Sequence, residues 1–455
     1  MDFFLDSVPR RRLAAAIYTQ LRDAITAGNL ATGQLLAPSR NLADTLGVSR
    51  HTVTTAYGRL VAEGFLEGAA GGGTRVAGVW STGPRPAGPA NTPSPSLEAT
   101  PTRFDLRIGR PDPSLFPTDD WRRALARAWR LGGSTPIGGE QHVRAVVAAW
   151  AYRSRSIRAT DQQVFVTAGA QHAFDIALTA YLRPGDVVVV EQPGYDRFAE
   201  LARRRGATIV GVPVDEQGLI TDLLPHTAAL VHVTPSHQFP VGGALSLPRR
   251  RALLAWAQRV GAFVIEDDYD SEFRFGTRPL EPLHLLDTDD RVFYVATFSK
   301  TLSPTLRLGY LVAPRSCVEQ VTASADVLAR QPDDATMHAL ASLVLDGQLT
   351  RHLNAARRAY ARRHQALAAA VDSRLANVAT RVPSSAGLHL SVRLQLHVDD
   401  DLAGRAHAAG LALTSPVATG AGPETVTYLP LGYGLVAEAD VEEAVEVLAT
   451  VLGGG

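Results

Sequence analysis

The 455-residue chain has one cysteine, Cys317, so no disulfide can form within it, which fits a reducing cytoplasm. Net charge is also missing: 45 basic residues face 45 acidic ones. The surface as a whole is therefore no trap for polyanions, and any nucleic-acid contact must come from a local patch. No run of about 18 apolar residues occurs, so no membrane span is expected. The opening stretch MDFFLDSVPRRR places acids ahead of its basic run and has no apolar core behind it, so it does not read as a secretory signal. Apolar residues (45%) and charged residues (20%) stand in the proportions of a soluble globular protein.

The scarcest functional residue is lysine. Of the 45 basic residues only Lys300 is a lysine, and the other 44 are arginine. The two interchange on a surface but not as nucleophiles. A guanidinium stays protonated, whereas an ammonium can lose its proton and attack a carbonyl. A codon bias accounts for the scarcity. It does not account for where the survivor falls, which is the stretch ATFSKTLSP.

Three textures follow one another along the chain. Residues 1–79 carry short helical patterns and end in a glycine cluster. Residues 80–103 are rich in Pro, Ala, Ser, Thr and Gly and read as an interdomain linker. Residues 104–455 alternate strand-like runs (VFVTAG, DVVVVEQ, ATIVGVPV, AALVHVTP, AFVIEDD, RVFYVATFS, LGYLVAP) with helical stretches. Several runs are continuously apolar, as in strands buried on both faces. An α/β domain with a largely parallel sheet is predicted.

In the first region Leu13, Ile17, Leu21 and Ala24 recur at helical spacing up to Gly28. Ser39, after Pro38, can cap a second helix to about Leu46, and Gly47 suits a tight turn. A third helix starts near Ser49, with Val53, Ala56, Tyr57 and Leu60 inward and Arg50, His51, Thr52, Thr54, Thr55 and Arg59 outward. Helix, glycine turn and a second helix with a basic, polar start form a helix-turn-helix pattern. GFLEGAAGGGTRVAG then reads as a hairpin, or wing, carrying Arg75. Arg50 and Arg75 can reach phosphates or guanine edges, and Ser49 and Thr52 can donate to phosphates.

In the large region VIEDDYDSEFRF ends an apolar strand in acids, at the sheet edge where α/β ligand sites form. Strand, small-residue turn and helix in VTAGAQHAFDIAL offer the Gly169, Ala170 and Gln171 amides to a phosphate. EQPGYDRF sets Tyr195 in a turn, and Arg307 follows Lys300 by seven positions. Amine, carboxylate, aromatic ring and phosphate cradle together suggest pyridoxal 5'-phosphate, which arginine at position 300 could not hold covalently. Asp268, Asp270 and Glu272 read instead as surface or ion-pair residues.

From Leu36 through Gly64 the chain resembles the DNA-binding domain of GntR-type bacterial regulators, with Ala37 where their pattern has proline. The resemblance implies Arg40, Ser49, Arg50 and Thr52 as DNA contacts. From Phe104 onward, GRPDPSLFPTDDWRRA, VTAGAQHAFD, EQPGY, TPSHQFPVGGALS, IEDDYDSEFRF and TFSKTLSPTLRLGY resemble fold-type I, aspartate-aminotransferase-like enzymes. Joined to the N-terminal module, the pattern is similar to the MocR/GabR subfamily of GntR regulators. That resemblance implies that Lys300 forms the Schiff base and Asp267 pairs with the pyridine nitrogen. It also implies that Tyr269 bonds the phenolic oxygen and Tyr195 stacks on the ring. Thr297, Arg307 and the amides of Ala170 and Gln171 would hold the phosphate, with His237 and Gln238 in a motif lining the pocket. A head-to-tail, domain-swapped homodimer is implied as well.

Two departures from the family pattern stand out. Gly133 occupies a position where many relatives carry a phosphate-reaching tyrosine. Pro430 stands where related aminotransferases place an arginine for a substrate carboxylate; Arg197 can offer a substitute contact. The reading that results is a DNA-binding regulator sensing the cofactor, an amino acid or an amine. Control of vitamin B6, amino-acid or amine metabolism is typical of such proteins. The alternative is a working aminotransferase with an accessory DNA-binding domain.

Overall fold

A computed structural model describes residues 9, 12–69, 73–78, 102–130, 138–275, 281–328, 332–384, 386–398, 401–420 and 425–453. The chain divides into two compact units between Ser96 and Leu97. Most of the stretch read as a linker, and Gly133, lie outside the described residues.

The first unit holds α1 (Leu13–Thr26), α2 (Ser39–Leu46), α3 (Arg50–Ala62) and the antiparallel hairpin β1 (Leu66–Ala69) and β2 (Gly73–Val76). Ile17, Leu21, Val53, Ala56 and Leu60 recur at helical spacing and meet in one small core. Gly47 sits at φ +62 between α2 and α3, a conformation in which a Cβ would be strained. Ser49 caps α3 by accepting from the Thr52 amide at 3.2 Å. Ser39 is not a cap. Pro38 holds the extended N-cap geometry, no side chain bonds there, and Ser39 is already the first helical residue. The Leu36 amide donates to Thr74 O at 2.9 Å and ties the hairpin to the strand-like entry into α2.

The second unit begins with β3 (Phe104–Asp105), α4 (Thr118–Arg130) and α5 (Gly138–Arg155). Strands and helices then alternate: β4 (Val164–Thr167), α6 (Ala170–Tyr181), β5 (Val187–Gln192), α7 (Asp196–Arg204), β6 (Thr208–Asp215), β7 (Gly218–Leu219), β8 (Leu230–Val233), α8 (Leu247–Val260), β9 (Phe263–Asp268), α9 (Leu283–Leu286), β10 (Val292–Thr297) and β11 (Gly309–Val312). After α10 (Val318–Leu328), α11 (Asp334–Leu345) and α12 (Gln348–Arg374) come β12 (Ala379–Arg381), β13 (His389–Leu394), α13 (Leu402–Ala408), β14 (Leu411–Ala412), β15 (Val417–Thr419), β16 (Val426–Gly432) and α14 (Val441–Gly453).

The central sheet has the order β4-β11-β10-β9-β8-β5-β6-β7. Its neighbours from β10 through β6 pair in parallel, while β11 runs antiparallel to both β10 and β4. The apolar runs serve two faces. Val188 and Val190 of β5 join one core cluster and Val189 another; Phe293 and Val295 of β10 separate in the same way from Tyr294 and Ala296. A smaller antiparallel sheet, β12-β13-β16-β15, completes the unit.

Candidate functional site

The same alternation sorts the acids of β9. In the parallel register Tyr294 faces Glu266, Val295 faces Asp267 and Ala296 faces Asp268. Asp267 therefore shares a face with Val295, Asp268 with Tyr294. Asp268 is locked away: Arg155 Nε donates to it at 2.7 Å and Tyr294 Oη at 2.6 Å. Burial alone would raise its pKa, but the Arg155 cation holds it below the ordinary value. Asp267 has no such partner. Its Oδ1 is buried without a hydrogen bond among the described residues, and its Oδ2 lies 3.5 Å from His232 Nε2. Desolvation pushes its pKa up, against the pull of His232.

Asp267 borders a cavity of about 140 Å³. Also lining it are Ala170, Gln171, Tyr195, Tyr269, Thr297, Lys300 and Arg307, together with Gly109, Gly169, Phe239, Ser299 and His389. Lys300 follows β10, and its ammonium donates to Gly109 O. Gly109 has φ +74, and a Cβ on it would stand 3.0 Å from Lys300 Nζ. Withdrawal from water lowers the Lys300 pKa, against the opposing pull of Asp270 and Asp267. A depressed ammonium is the form that can reach the free amine.

Also on the cavity wall, Gly169, at φ +79, precedes α6, whose first residues are Ala170 and Gln171. Helix geometry leaves these first amides without intrahelical acceptors. A Cβ on Gly309 would stand 3.1 Å from Gly169 Cα, so two glycines let β11 pack against this turn. Arg307, at the exposed rim, has φ +52 and no carboxylate partner among the described residues. Thr297 Oγ1 accepts from the Ser299 amide at 3.1 Å. Tyr195 stands edge-on to Phe239, ring centroids 5.8 Å apart.

The arrangement fits pyridoxal phosphate on three counts of its own. A helix N-terminus beside a cation suits a dianion. A buried carboxylate with one oxygen unbonded among the described residues suits a ring N–H⁺, and an amine lines the same cavity. Three residues named from the sequence stand apart, Gln238 among them: its side chain is buried and donates to Glu191 Oε2 at 3.1 Å. Arg197 is exposed on α7 and does not line the cavity; His237 lies behind Tyr269, 3.1 Å from its hydroxyl. Pro430 lies in β16 opposite Ser391. Lys300 and Arg307 are the cations among the lining residues.

Asp268, Asp270 and Glu272 are all buried, which corrects the surface half of the sequence reading; the ion-pair half holds for Asp268 with Arg155, and Asp270 lies 3.0 Å from His237 Nδ1. Burial pushes Glu272 up to about 7. His232, Gly109 and His389 were not singled out. His232 left a signal: a lone imidazole in the buried run LVHV, on the same side of the sheet as Asp267.

In the first unit Arg40, Ser49 and Arg50 are exposed and Thr52 half-buried, together at the start of α2 and α3. Arg75 is exposed on the hairpin, its guanidinium 2.8 Å from Glu67. The glycine-rich hairpin tip, 70–72, lies outside the described residues.

Residues 13–76 match the bacterial regulatory proteins of the gntR family, and residues 104–416 match aminotransferase class I and II. An uncharacterized HTH-type transcriptional regulator of Bacillus subtilis, YhdI, is 30% identical over 98% of this chain and 97% of its own. The probable rhizopine catabolism regulatory protein MocR of Rhizobium meliloti is 34% identical over 86% and 83%. The pyridoxine biosynthesis regulator PdxR of Corynebacterium glutamicum is 35% identical over 81% of each chain. Among solved structures, the kynurenine aminotransferase of Pyrococcus horikoshii superposes with a TM-score of 0.70 at 24% identity, over 79% of this chain and 92% of its own. LysN of Thermus thermophilus, complexed with a phosphopyridoxyl-leucine, gives 0.67 at 28%, over 77% and 92%. The architecture is thus a winged helix-turn-helix followed by a fold-type I aminotransferase domain, a class that depends on pyridoxal phosphate. The chain belongs to the MocR subfamily of GntR-type transcription regulators.

Proposed function

We propose that this protein binds operator DNA through residues 1–79 and senses pyridoxal phosphate, with or without an amino compound, through residues 104–455, with 80–103 as the linker. The regulated genes belong to vitamin B6 or to amino-acid and amine metabolism, in line with PdxR, a pyridoxine biosynthesis regulator, and MocR, a probable rhizopine catabolism regulator. A cytoplasmic, domain-swapped homodimer accords with this reading.

The observation that carries the proposal is the cavity. It joins the chain's one lysine, a buried carboxylate with one oxygen unbonded among the described residues and a helix N-terminus, in a chain that also carries a helix-turn-helix. When bound, the cofactor supplies an aldehyde and an electron-withdrawing ring. Lys300 holds the aldehyde carbon through its amine. Asp267 keeps a proton on the ring nitrogen. Tyr195 covers a ring face, and Tyr269 donates to the phenolic oxygen. Thr297, Arg307 and the Ala170 and Gln171 amides receive the phosphate. Regulation then requires only that the bound large unit favour one DNA-competent arrangement over another.

The test is fluorescence anisotropy on DNA upstream of the protein's own gene, with and without pyridoxal phosphate, in wild type and Lys300→Ala. A cofactor response in the wild type that Lys300→Ala lacks is expected. Failure of both proteins to bind any upstream fragment would sink the regulator reading. The alternative, a working aminotransferase with an accessory DNA module, predicts steady turnover of an amino acid with an oxo acid. Pro430 and the small number of lining cations weigh against it.

A further inference from the structure

We infer that Asp270 and His237 form a positioning pair that turns the hydroxyl proton of Tyr269 into the cavity. The inference rests on the cofactor reading above, in which Tyr269 meets the phenolic oxygen.

His237 Nδ1 lies 3.0 and 3.2 Å from the two Asp270 oxygens and 3.1 Å from Tyr269 Oη. Both side chains of the pair are buried, at 1% and 2% exposure. A carboxylate only accepts, so the proton shared by this pair sits on Nδ1. An Nδ1 that carries its proton cannot accept from Tyr269. The tyrosine proton is then left for the cavity, which Tyr269 lines. In the other tautomer Nδ1 is bare. It would draw the tyrosine proton away from the cavity and leave Asp270 without that donor. Asp270 therefore selects the tautomer, and the tautomer selects the direction of the hydroxyl.

The surroundings hold the pair in place. Asp270 Oδ2 also accepts from the Leu388 amide at 3.3 Å. Gly387 has φ +86, and a Cβ there would collide with both His237 Nδ1 and Asp270 Oδ2. The segment before β13 thus closes over the pair only as glycine, and Tyr433 Oη fixes it by donating to Gly387 O at 2.6 Å. The other titratable groups facing this corner are Asp267, Glu191 and Tyr433 beside Tyr269, Lys300, His364 of α12, which feels the His237 charge, and His389, whose ring is 4.3 Å from that of His237. None of them is altered in the variants below.

The experiment titrates the full chain loaded with pyridoxal phosphate and reads the pH midpoint at which the bound cofactor's absorption band shifts. Wild type is compared with Tyr269→Phe, Asp270→Asn and His237→Phe. A donor to the phenolic oxygen favours its deprotonated form, so losing the donor raises the midpoint. Tyr269→Phe is expected to raise it by roughly one pH unit. Asp270→Asn, which frees Nδ1 to accept from Tyr269, is expected to raise it in the same direction, by about half as much or more, whereas His237→Phe removes that competing acceptor and is expected to stay near the wild-type midpoint. The sign separates orientation from charge: removing the Asp270 charge with no change in the hydroxyl would lower the midpoint, because a nearby anion favours the protonated form. A lowered midpoint in Asp270→Asn, or wild-type titration in that variant beside a raised midpoint in Tyr269→Phe, overturns the inference alone. An unchanged midpoint in Tyr269→Phe overturns the role given to that hydroxyl, and the pair's role falls with it. If no absorption band develops in the wild type, the cofactor reading itself has failed.

Discussion

The two units present their functional groups in opposite ways. The helix-turn-helix unit turns Arg40, Ser49 and Arg50 outward from the starts of two helices. The large unit turns its groups inward, from β9, β10, α6 and several connecting segments, onto one cavity. The difference follows from the ligands each is read to bind. DNA brings its own regular charge, and a protein needs only to display donors at the right spacing. A small cofactor must be surrounded, so its site exists only once the whole sheet has formed. The first site therefore depends on a small core and single contacts, the second on a large core and an interlocked set.

The strongest way to break this comparison is to remove core from the small unit. Leu60 is fully buried where α3 meets its core. Leu60→Ala should cost about 2–5 kcal/mol, comparable to the whole stability of so small a domain. Amide-exchange protection across residues 13–76 should collapse while pyridoxal phosphate uptake by the rest of the chain is retained. Leu311→Ala, in a unit with three buried clusters rather than one, should leave a folded unit. Loss of cofactor uptake in Leu60→Ala would mean that the two units do not stand alone.

Next in size is a reciprocal pair. Lys300→Ala should weaken cofactor binding by about 100-fold, since it removes the amine that fixes the aldehyde, and should leave cofactor-free DNA binding unchanged. Arg50→Ala should weaken DNA binding by about tenfold and reduce the salt slope by about 1 if it meets a phosphate, with cofactor binding unchanged. Absorbance titration and anisotropy at several salt concentrations read the two. Crossed effects without added ligand would contradict the separation.

These contrasts also explain what was legible. The long strands of the central sheet stood in the sequence as apolar runs; in β9 and β10 burial on both faces leaves little other composition, whereas β6 keeps its apolar run although most of it is only partly buried or exposed. The acids after Ile265 were visible, and strand alternation could have sorted Asp267 from Asp268. Gly109 was not visible as a site residue: it meets Lys300 across 191 positions, and nothing local marks a carbonyl as an acceptor for an ammonium. The burial of Asp270 and Glu272 was hidden for a related reason. Charged residues after a strand read as surface or ion-pair groups, and only the fold brings His237 and Gly387 over Asp270.

A smaller effect tests whether the inward site also carries a pH cost. Burial, with the nearby His237 and Lys300, holds the His389 pKa well below its ordinary 6.5, although its bond to Pro240 O works the other way. The imidazole is therefore neutral in the folded chain, and the unfolded chain takes up a proton below about pH 6.5. The unfolded state then binds more protons, so stability falls as the pH drops through that range. The contribution is at most about 1.4 kcal/mol per pH unit. In urea unfolding of the large unit, His389→Phe should lose less stability than wild type between pH 7 and pH 5. Equal losses would mean that His389 already takes up its proton in the fold.

The smallest effect lies at Ser49, where display and structure share one side chain. Ser49 Oγ caps α3 through the Thr52 amide, and the same exposed hydroxyl is read as a DNA contact. In the large unit such duties are divided, with one layer meeting the ligand and another holding that layer. Ser49→Ala should destabilise the small unit by about 1 kcal/mol and weaken DNA binding slightly. Ser49→Asp keeps an acceptor for the cap and suits the positive end of the helix, so stability should hold or rise by a few tenths of a kcal/mol. Its negative charge nevertheless faces the phosphates, and DNA binding should fall further than in Ser49→Ala. Unfolding midpoints alongside anisotropy would show the two variants in opposite order. The same order in both would mean that Ser49 acts on DNA only through the helix it caps.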